Sequence, residues 1–184
     1  MKLYLAPLEG ITNHIYRKAL YQCFGGFDKY FIPFIRAKQN LNFSGREKKD
    51  ISPENNLGMY AVPQILTKNA DDFLQTANQL REYGYQEVNL NLGCPSKTVV
   101  TKGCGAGFLD RPEELERFLD KIFSGTDMRI SVKTRLGMED AEGFPHLMEI
   151  YNRFPMEELI IHPRVQKDFY KNIPDLEVFG EAMA

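Results

Sequence analysis

Residues 87–97 read Glu-Val-Asn-Leu-Asn-Leu-Gly-Cys-Pro-Ser-Lys, and this stretch decides the fold. Apolar side chains alternate with asparagines over its first half, which is the period of a β-strand. Gly93 and Pro95 end the strand abruptly and leave Cys94 at its tip. A thiol held between a glycine and a proline at a strand end is placed for access. A chemical role is therefore favoured over the buried, inert thiol that is common among cysteines.

The composition is ordinary for a soluble globular protein with one core: of 184 residues, 43% are hydrophobic and 26% charged. Because no run of about 18 apolar residues occurs, we expect no transmembrane helix and no membrane partner. The N-terminus lacks a signal peptide's long apolar region, and three widely spaced cysteines give no disulfide framework or zinc-ligand pattern. We expect a cytoplasmic protein without a metal site. With a net charge of −2, a nucleic-acid partner would need a local basic surface.

Strands and helices alternate along the chain. Six strands are predicted at residues 3–8, 29–36, 60–66, 87–92, 128–135 and 158–163. Helical spacing predicts helices at residues 14–23, 69–83 and 143–154, and another that begins near residue 111. Residues 38–56 are polar and charged, and we interpret them as a loop with a helical turn. Residues 175–180 fit the start of either a helix or a strand.

Alternating strands and helices imply a parallel sheet, either an open doubly wound sheet or a (β/α) barrel. The positions of the candidate functional residues distinguish the barrel from the open sheet. These residues lie at the C-terminal ends of different strands and are Pro7, Gln64, Asn91, Cys94, Lys133 and His162. In a barrel all strand ends face one mouth, whereas an open sheet concentrates its functional groups at one crevice. We therefore predict an α/β protein with a TIM-type (β/α) barrel.

This barrel is expected to be incomplete. A full barrel has eight strand–helix units and takes about 250 residues, whereas about six units are predicted here. The chain is thus either part of a longer protein or an open sheet. The unpaired edges of an open barrel invite pairing with another chain, so we predict weak stability or self-association. A sharp, concentration-independent unfolding transition of a monomer would contradict this.

Six blocks carry a family resemblance: Ala6-Pro-Leu-Glu-Gly-Ile-Thr12, Gln64, Asn91-Leu-Gly-Cys-Pro-Ser96, Gly103-Cys-Gly-Ala-Gly107, Val132-Lys-Thr-Arg-Leu-Gly137 and Ile161-His-Pro-Arg164. In this order they resemble the successive blocks of the tRNA-dihydrouridine synthases. A single block is weak support, but the ordered set is specific and spans nearly the whole chain. Two positions depart from the family: Leu8 replaces the usual methionine, and Pro163 replaces the small residue that usually follows the histidine.

The resemblance implies an FMN-binding barrel, followed by a small helical domain, that reduces uridine in tRNA with NADPH. Residues 1–184 would then be the N-terminal and central part of that barrel. The last barrel units, which bind the FMN phosphate in this family, and the C-terminal helical tRNA-binding domain would be absent. The family implies that Cys94 donates a proton to uracil C5 while reduced flavin delivers a hydride to C6. An unperturbed thiol, with a pKa of about 8.5, is protonated at neutral pH and can act as this acid.

The family also assigns the cofactor contacts. Lys133 would stabilise the negative charge of the reduced ring at its N1–C2 carbonyl edge. Gln64 and Asn91 would hydrogen-bond the ring's polar edge, although the residues alone allow an equal chance that they cap neighbouring strands. His162 would contact the flavin or a phosphate, where the sequence alone allows an ordinary loop histidine. The remaining ring contacts fall to Pro7 and Leu8.

Substrate contacts are predicted from local charge. Arg135 and Arg164 end strands at the same mouth and are expected to grip phosphates or the flipped nucleotide, because chemistry on a base needs it outside the stack. Lys97 and Lys102 are expected to extend this basic rim. The glycines of residues 103–107 lack dinucleotide-binding spacing, and we interpret the loop as a mobile one that admits substrate to the thiol. A further basic group is either a solvated loop or a second patch; it comprises Arg36, Lys38, Arg46, Lys48 and Lys49.

Three functions stay open at this point. The first is a tRNA-dihydrouridine synthase, an NAD(P)H-dependent flavoenzyme. The second is another FMN-barrel oxidoreductase, of the dihydropyrimidine or dihydroorotate dehydrogenase type. The third is an inactive truncated fragment that only associates with RNA or other chains. Flavin absorbance separates the third from the others, and stimulation of NADPH oxidation by tRNA but not by free pyrimidines separates the first from the second.

Overall fold

One parallel sheet organises the chain, and the computed structural model describes residues 1–37 and 42–183. Its strands are β1 Tyr4–Leu5, β2 Lys29–Arg36, β3 Ala61–Leu66, β4 Glu87–Leu92, β5 Arg129–Arg135 and β6 Leu159–His162. Each strand pairs in parallel with the next one in the sequence. The sheet curls into a half-barrel with alternating helices, which confirms the prediction of an incomplete TIM-type barrel.

Helices follow the strands in the described part of the chain. They are α1 His14–Cys23, α2 Gly45–Ile51, α3 Ala70–Glu82, α4 Lys97–Val100, α5 Pro112–Gly125, α6 Phe144–Tyr151 and α7 Leu176–Ala182. Short 3-10 turns occur at Pro53–Asn55, Gly105–Phe108 and Gln166–Asp168. Residues 175–180, which the sequence left open between helix and strand, therefore begin the helix α7.

The segment interpreted as a loop with a helical turn contains a helix of seven residues, α2. Ser44 accepts a hydrogen bond from the backbone N–H of Glu47, while the Glu47 carboxylate accepts one from the backbone N–H of Ser44. This capping box satisfies two N–H groups that would otherwise lack partners, so the helix forms despite its charged composition. The rest of the predicted loop includes residues 38–41, which lie outside the described residues.

The two faces of the sheet differ sharply in polarity. Because side chains alternate along a strand, the apolar residues of β4 all point to one face, where Val88, Leu90 and Leu92 are fully buried. Helices cover this outer face; Phe73 of α3 and Phe118 of α5, for example, meet edge to face with ring centroids 6.1 Å apart. The inner face carries the polar residues, so the functional groups of the sheet lie inside the curl.

At the N-terminal end of the strands the inner polar groups are paired with one another. Lys29 Nζ donates to both carboxylate oxygens of Glu87, at 3.0 and 2.9 Å, and to Glu158 at 3.0 Å. The Tyr60 hydroxyl also donates to Glu87, at 2.9 Å. These buried charges therefore have partners, as their burial requires. The opposite ends of the strands carry the polar residues predicted for the site, among them Gln64, Asn91 and Lys133.

Strands β1 and β6 each have one neighbour within the described residues. Unpaired strand edges favour association, so self-association through them stays a prediction. No helix in residues 1–37 or 42–183 is both long and apolar enough to cross a bilayer.

Candidate active site

A cleft of about 460 Å³ opens at the C-terminal ends of the strands. This volume is in the usual range for a small-molecule site. Nine of the eleven predicted site residues line it, namely Pro7, Leu8, Gln64, Asn91, Cys94, Lys97, Lys133, Arg135 and His162. Arg164 and Lys102 do not line the cleft. The strand ends thus bring together residues that are far apart in sequence.

Cys94 is fixed by its backbone. The Asn91 side-chain oxygen accepts hydrogen bonds from the backbone N–H groups of Gly93, at 3.1 Å, and Cys94, at 2.9 Å. The thiol is half-buried, and burial raises its pKa, against a smaller opposing effect of the Ser96 backbone N–H. The Cys94 thiol therefore keeps its proton at neutral pH, which is the state a general acid needs.

The glycine cluster supports the Cys94 loop from behind. The backbone N–H of Ala106 donates to the Cys94 carbonyl at 3.1 Å. A Cβ on Gly105, whose φ is +56°, would lie 2.9 Å from that carbonyl oxygen, so only glycine fits there. The turn Gly105–Phe108 is buried. The prediction of a mobile, substrate-admitting loop is therefore wrong, because this segment packs tightly against the loop it was expected to uncover.

Lys133 lies beside Asn91 on the adjacent strand. Burial, followed by repulsion from Arg135, lowers the pKa of Lys133 to about 8. Within residues 1–37 and 42–183, no carboxylate lies in ion-pair distance of its ammonium group. A buried cation without a counter-charge is unfavourable. An anion or a carbonyl-rich ligand in the cleft would compensate it.

His162 forms part of the cleft wall as a neutral ring. Arg164 Nη1 lies 2.8 Å from His162 Nε2, and because a guanidinium can only donate, Nε2 must accept. The imidazole proton is then on Nδ1. Burial, followed by the positive charges of Arg135, Lys133 and Arg164, lowers the pKa of His162 to about 4. His162 can thus serve the site as a hydrogen-bonding group without carrying charge.

This neutrality has a measurable consequence for stability. Since the unfolded chain takes up this proton near pH 6.5 and the folded chain only near 4, protonation favours unfolding in that window. As the pH drops from about 6.5 to about 4, we expect the free energy of unfolding to fall in both proteins. The fall should be about 1–2 kcal/mol larger in the wild type than in His162→Gln. Denaturant titrations at several pH values measure the difference. NMR detection of His162 protonation near pH 6.5 would contradict the expectation.

Arg135 lines the cleft, but its guanidinium is held largely by the protein backbone. It is 1% exposed, and its guanidinium donates to the backbone carbonyls of Gly93 at 2.9 Å, Val165 at 2.9 Å and Phe169 at 2.8 Å. A buried guanidinium needs such partners, and these donors are not available to a phosphate. The predicted grip on phosphates or the flipped nucleotide stays a prediction, for which Arg135 keeps only the N–H groups that these carbonyls leave over. Arg135 ties the Cys94 loop to the segment after β6.

The other predicted cations occupy three different settings. Arg164 is half-buried and donates to the Asn172 carbonyl at 2.6 Å as well as to His162, so it supports a residue of the cleft wall without lining the cleft itself. Lys97 is exposed and lies on the cleft wall at the start of α4. Lys102 is exposed but lies outside the cleft.

The second basic group stays an open prediction. Arg46 is exposed and lies 4.0 Å from the Asp50 carboxylate, while Lys48 and Lys49 are exposed on α2. Lys38 lies outside the described residues. These observations fit a solvated face, which is the default for such a segment.

Several residues of the site were missed by sequence reasoning. The cleft wall also contains Glu9, Phe34, Phe169 and Tyr170. The Tyr170 ring lies 5.8 Å from that of His162, and the Arg135 guanidinium lies 5.5 Å from the Tyr170 ring. Phe34 lies near the C-terminal end of β2, where its apolar side chain gives no sign of a site. No local pattern marks the other three, since they lie in the segments that follow β1 and β6.

The chain is similar to known proteins over nearly its whole length. A family model described as dihydrouridine synthase matches residues 4–177. The chain is 29% identical over 178 residues to the tRNA-dihydrouridine(16) synthase of Pseudomonas syringae pv. tomato. The matched region covers 93% of the chain and 56% of this relative. The chain is 24% identical over 171 residues to tRNA-dihydrouridine synthase B of Pasteurella multocida, covering 92% and 51%. The chain thus spans about half the length of these curated relatives.

Proposed function

The chain belongs to the dihydrouridine synthase family, and from this premise we propose that it forms the catalytic part of an FMN-dependent tRNA-dihydrouridine synthase. The proposed reaction uses NADPH to reduce the C5=C6 bond of a uridine in tRNA to 5,6-dihydrouridine. Residues 1–184 are then the N-terminal and central part of the barrel. The names of the matched relatives, which are tRNA-dihydrouridine synthases, support tRNA as the substrate.

One observation carries the proposal: Lys133 places an ammonium group in the same cleft as Cys94, and no carboxylate of the described part of the chain pairs with it. A reduced flavin carries negative charge along its N1–C2 edge and would supply what Lys133 lacks. Gln64 and Asn91 line the same cleft as Lys133. Each of their amide nitrogens retains one N–H after its hydrogen bond to the protein. These groups match the carbonyl and nitrogen acceptors of the flavin's pyrimidine edge. The cleft residues therefore fit the flavin ring, with Pro7 and Leu8 as further wall contacts.

FMN, once bound and reduced by NADPH, would supply the hydride that reaches uracil C6. The protein supplies the other half of the reduction. Cys94 gives its thiol proton to C5, and its S–H bond breaks as the new C–H bond forms. The resulting thiolate lies near Lys133, whose positive charge stabilises it until solvent returns a proton through the open mouth of the cleft. His162 stays neutral throughout, so it supplies hydrogen bonding without competing for that proton.

The target uridine must leave the base stack to reach a thiol on the floor of a cleft. We propose that Lys97, on the cleft wall, and Lys102, further out, contact the phosphates that flank it. Phosphate contacts of this kind contribute affinity that falls with salt. Arg164 takes no part in this contact in our proposal, because its donors hold His162 and the Asn172 carbonyl.

NADPH oxidation by the FMN-loaded protein tests the function. We expect unmodified tRNA transcript to stimulate oxidation at least about tenfold over free uracil or uridine, since the flanking phosphates contribute much of the binding. The same tRNA already reduced to dihydrouridine is the matched control and should give no stimulation. Equal stimulation by free pyrimidines would instead indicate an oxidoreductase of the dihydropyrimidine dehydrogenase type.

A further inference from the structure

A chain of four polar side chains crosses three strands beneath the Cys94 loop. It begins at Asn91, whose oxygen holds the Cys94 loop and whose Nδ2 donates to Gln64 Oε1 at 2.7 Å. Gln64 Nε2 donates in turn to Asn89 Oδ1 at 2.7 Å, and Asn89 Nδ2 donates to Ser131 Oγ at 2.9 Å. The register of the sheet makes this possible, because Gln64, Asn89 and Ser131 lie directly opposite one another on β3, β4 and β5.

These four hydrogen-bonded side chains are almost completely shielded from solvent. Asn91 is 7% exposed and Gln64 1%, while Asn89 and Ser131 are not exposed at all. In such surroundings water does not replace a lost partner, so each amide depends on the next one along. Asn89 and Ser131 do not line the cleft. Any influence that they have on the site must pass through Gln64 and Asn91.

The hydrogen bonds of the chain all run in one direction. Amide oxygen and nitrogen are usually hard to tell apart, but the backbone N–H groups of Gly93 and Cys94 can only donate. The oxygen of Asn91 must therefore face them, which turns its nitrogen towards Gln64. The Gln64 oxygen must then face Asn91, and its nitrogen must face Asn89. Both cleft-lining amides have an engaged oxygen and a spare N–H, so the ligand meets donors.

We propose that Asn89, backed by Ser131, is a positioning residue that holds this chain in register, fixing the Cys94 loop and aiming the Gln64 and Asn91 donors into the cleft. Asn89 supplies the acceptor for Gln64 Nε2 and is the deepest amide of the chain. Without it, Gln64 has a buried N–H to satisfy elsewhere and loosens its hold on Asn91. The identity of the ligand as flavin rests on the proposed function, but the effect on Cys94 does not.

Substitution of Asn89 separates this role from simple packing. Asn89→Leu keeps the size of the side chain and removes its hydrogen bonds. Asn89→Asp keeps an oxygen that accepts from Gln64 Nε2. Its second oxygen replaces the amide group that donates to Ser131, and the Ser131 hydroxyl can turn to donate to that oxygen. The matched control is Thr134→Val, which also removes a buried hydroxyl from β5. That hydroxyl lies within hydrogen-bonding distance of the Tyr151 hydroxyl and contacts none of the four side chains in this series.

The readout is the rate of Cys94 alkylation by iodoacetamide against pH, resolved by site with mass spectrometry and measured without FMN. In Asn89→Leu we expect the alkylation rate to rise about fivefold, because the loop that covers the thiol loses the support of about one ordinary hydrogen bond. The midpoint pH should fall towards that of a free thiol, because burial is what raises it. In Asn89→Asp the midpoint should rise instead, since the new carboxylate lies beneath the thiol. Thr134→Val should match the wild type.

The charged groups that act on Cys94 are Glu9, Arg36, Lys133 and Arg135, and none of them is altered by these substitutions. A folded Asn89→Leu protein with an unchanged alkylation rate and midpoint would overturn the proposal. If Asn89→Leu does not fold, Ser131→Ala takes its place, with a smaller rise in the same direction expected; a rate equal to that of Thr134→Val would overturn the proposal equally.

An FMN titration of the same variants keeps this proposal separate from the proposed function. We expect Asn89→Leu to bind FMN about tenfold more weakly than the wild type, because the two donors are no longer aimed. A wild-type protein that binds no flavin would refute the proposed function, while the alkylation rates would still decide the role of Asn89. A variant that binds FMN as tightly as the wild type contradicts the aiming role.

Discussion

Cys94→Ala is expected to lower the rate of uridine reduction by about 10²–10⁴-fold, the usual contribution of a positioned general acid. The hydrogen bonds that fix the loop come from backbone N–H groups to Asn91, so they survive loss of the thiol. Flavin binding and flavin reduction by NADPH should therefore stay within about twofold of the wild type, because no group that we assign to them is removed. Single-turnover kinetics with pre-reduced protein and tRNA measure the step directly.

Cys104→Ala is the matched control for this substitution. Cys104 is also half-buried, and burial raises its pKa too, but it lies outside the cleft wall. We expect its loss to leave the single-turnover rate unchanged. Undiminished uridine reduction by Cys94→Ala would remove Cys94 as the proton donor, whatever its place in the cleft.

Lys133→Met is expected to act in opposite directions on ligand binding and on stability. Loss of a hydrogen bond to a charged partner should weaken the binding of reduced FMN by about 10- to 100-fold. Without ligand, the same substitution replaces a buried, uncompensated ammonium with an apolar side chain. The free energy of unfolding at neutral pH should therefore rise by about 1–3 kcal/mol. Anaerobic flavin titration and urea denaturation measure the two effects.

The charge on Lys133 makes the affinity for reduced flavin depend on pH. The folded Lys133 pKa of about 8 lies below the ordinary value, and a bound anion favours the protonated form. Affinity for reduced flavin should thus be constant below about pH 8 and fall above it, and this fall should vanish in Lys133→Met. Lys97→Met is the control, since that ammonium is exposed on the same cleft and should leave ring affinity and stability unchanged. A destabilised Lys133→Met protein with unaltered flavin affinity would contradict our account.

The sequence carried the parts of this structure that depend on local pattern. The alternation over residues 87–92, with a glycine and a proline behind it, located both β4 and the end of the strand that lines the cleft. The bounds of α1 were readable because Asn13 caps it at a clear change of pattern. The cap of α2 was also legible in Ser44 and Glu47, but the charged composition of the segment was given more weight than the cap.

Features that depend on tertiary contacts were not readable. Lys133 and Arg135 are two residues apart on β5 and share a face, so the pattern treats them alike. Arg135 has three backbone carbonyls from distant segments around its guanidinium, whereas Lys133 has no such partner within residues 1–37 and 42–183. The tight packing of the glycine cluster has the same origin. Asn89 was within reach of the sequence, since the period of two places it on the same face as Asn91.

The mass of a uridine-containing tRNA fragment tests the central claim most directly. We predict that the protein, given FMN and NADPH, adds two hydrogen atoms to one uridine of an unmodified transcript, and that the gain in mass disappears in Cys94→Ala. A wild-type protein that binds and reduces flavin but leaves the mass of every uridine fragment unchanged would contradict the account.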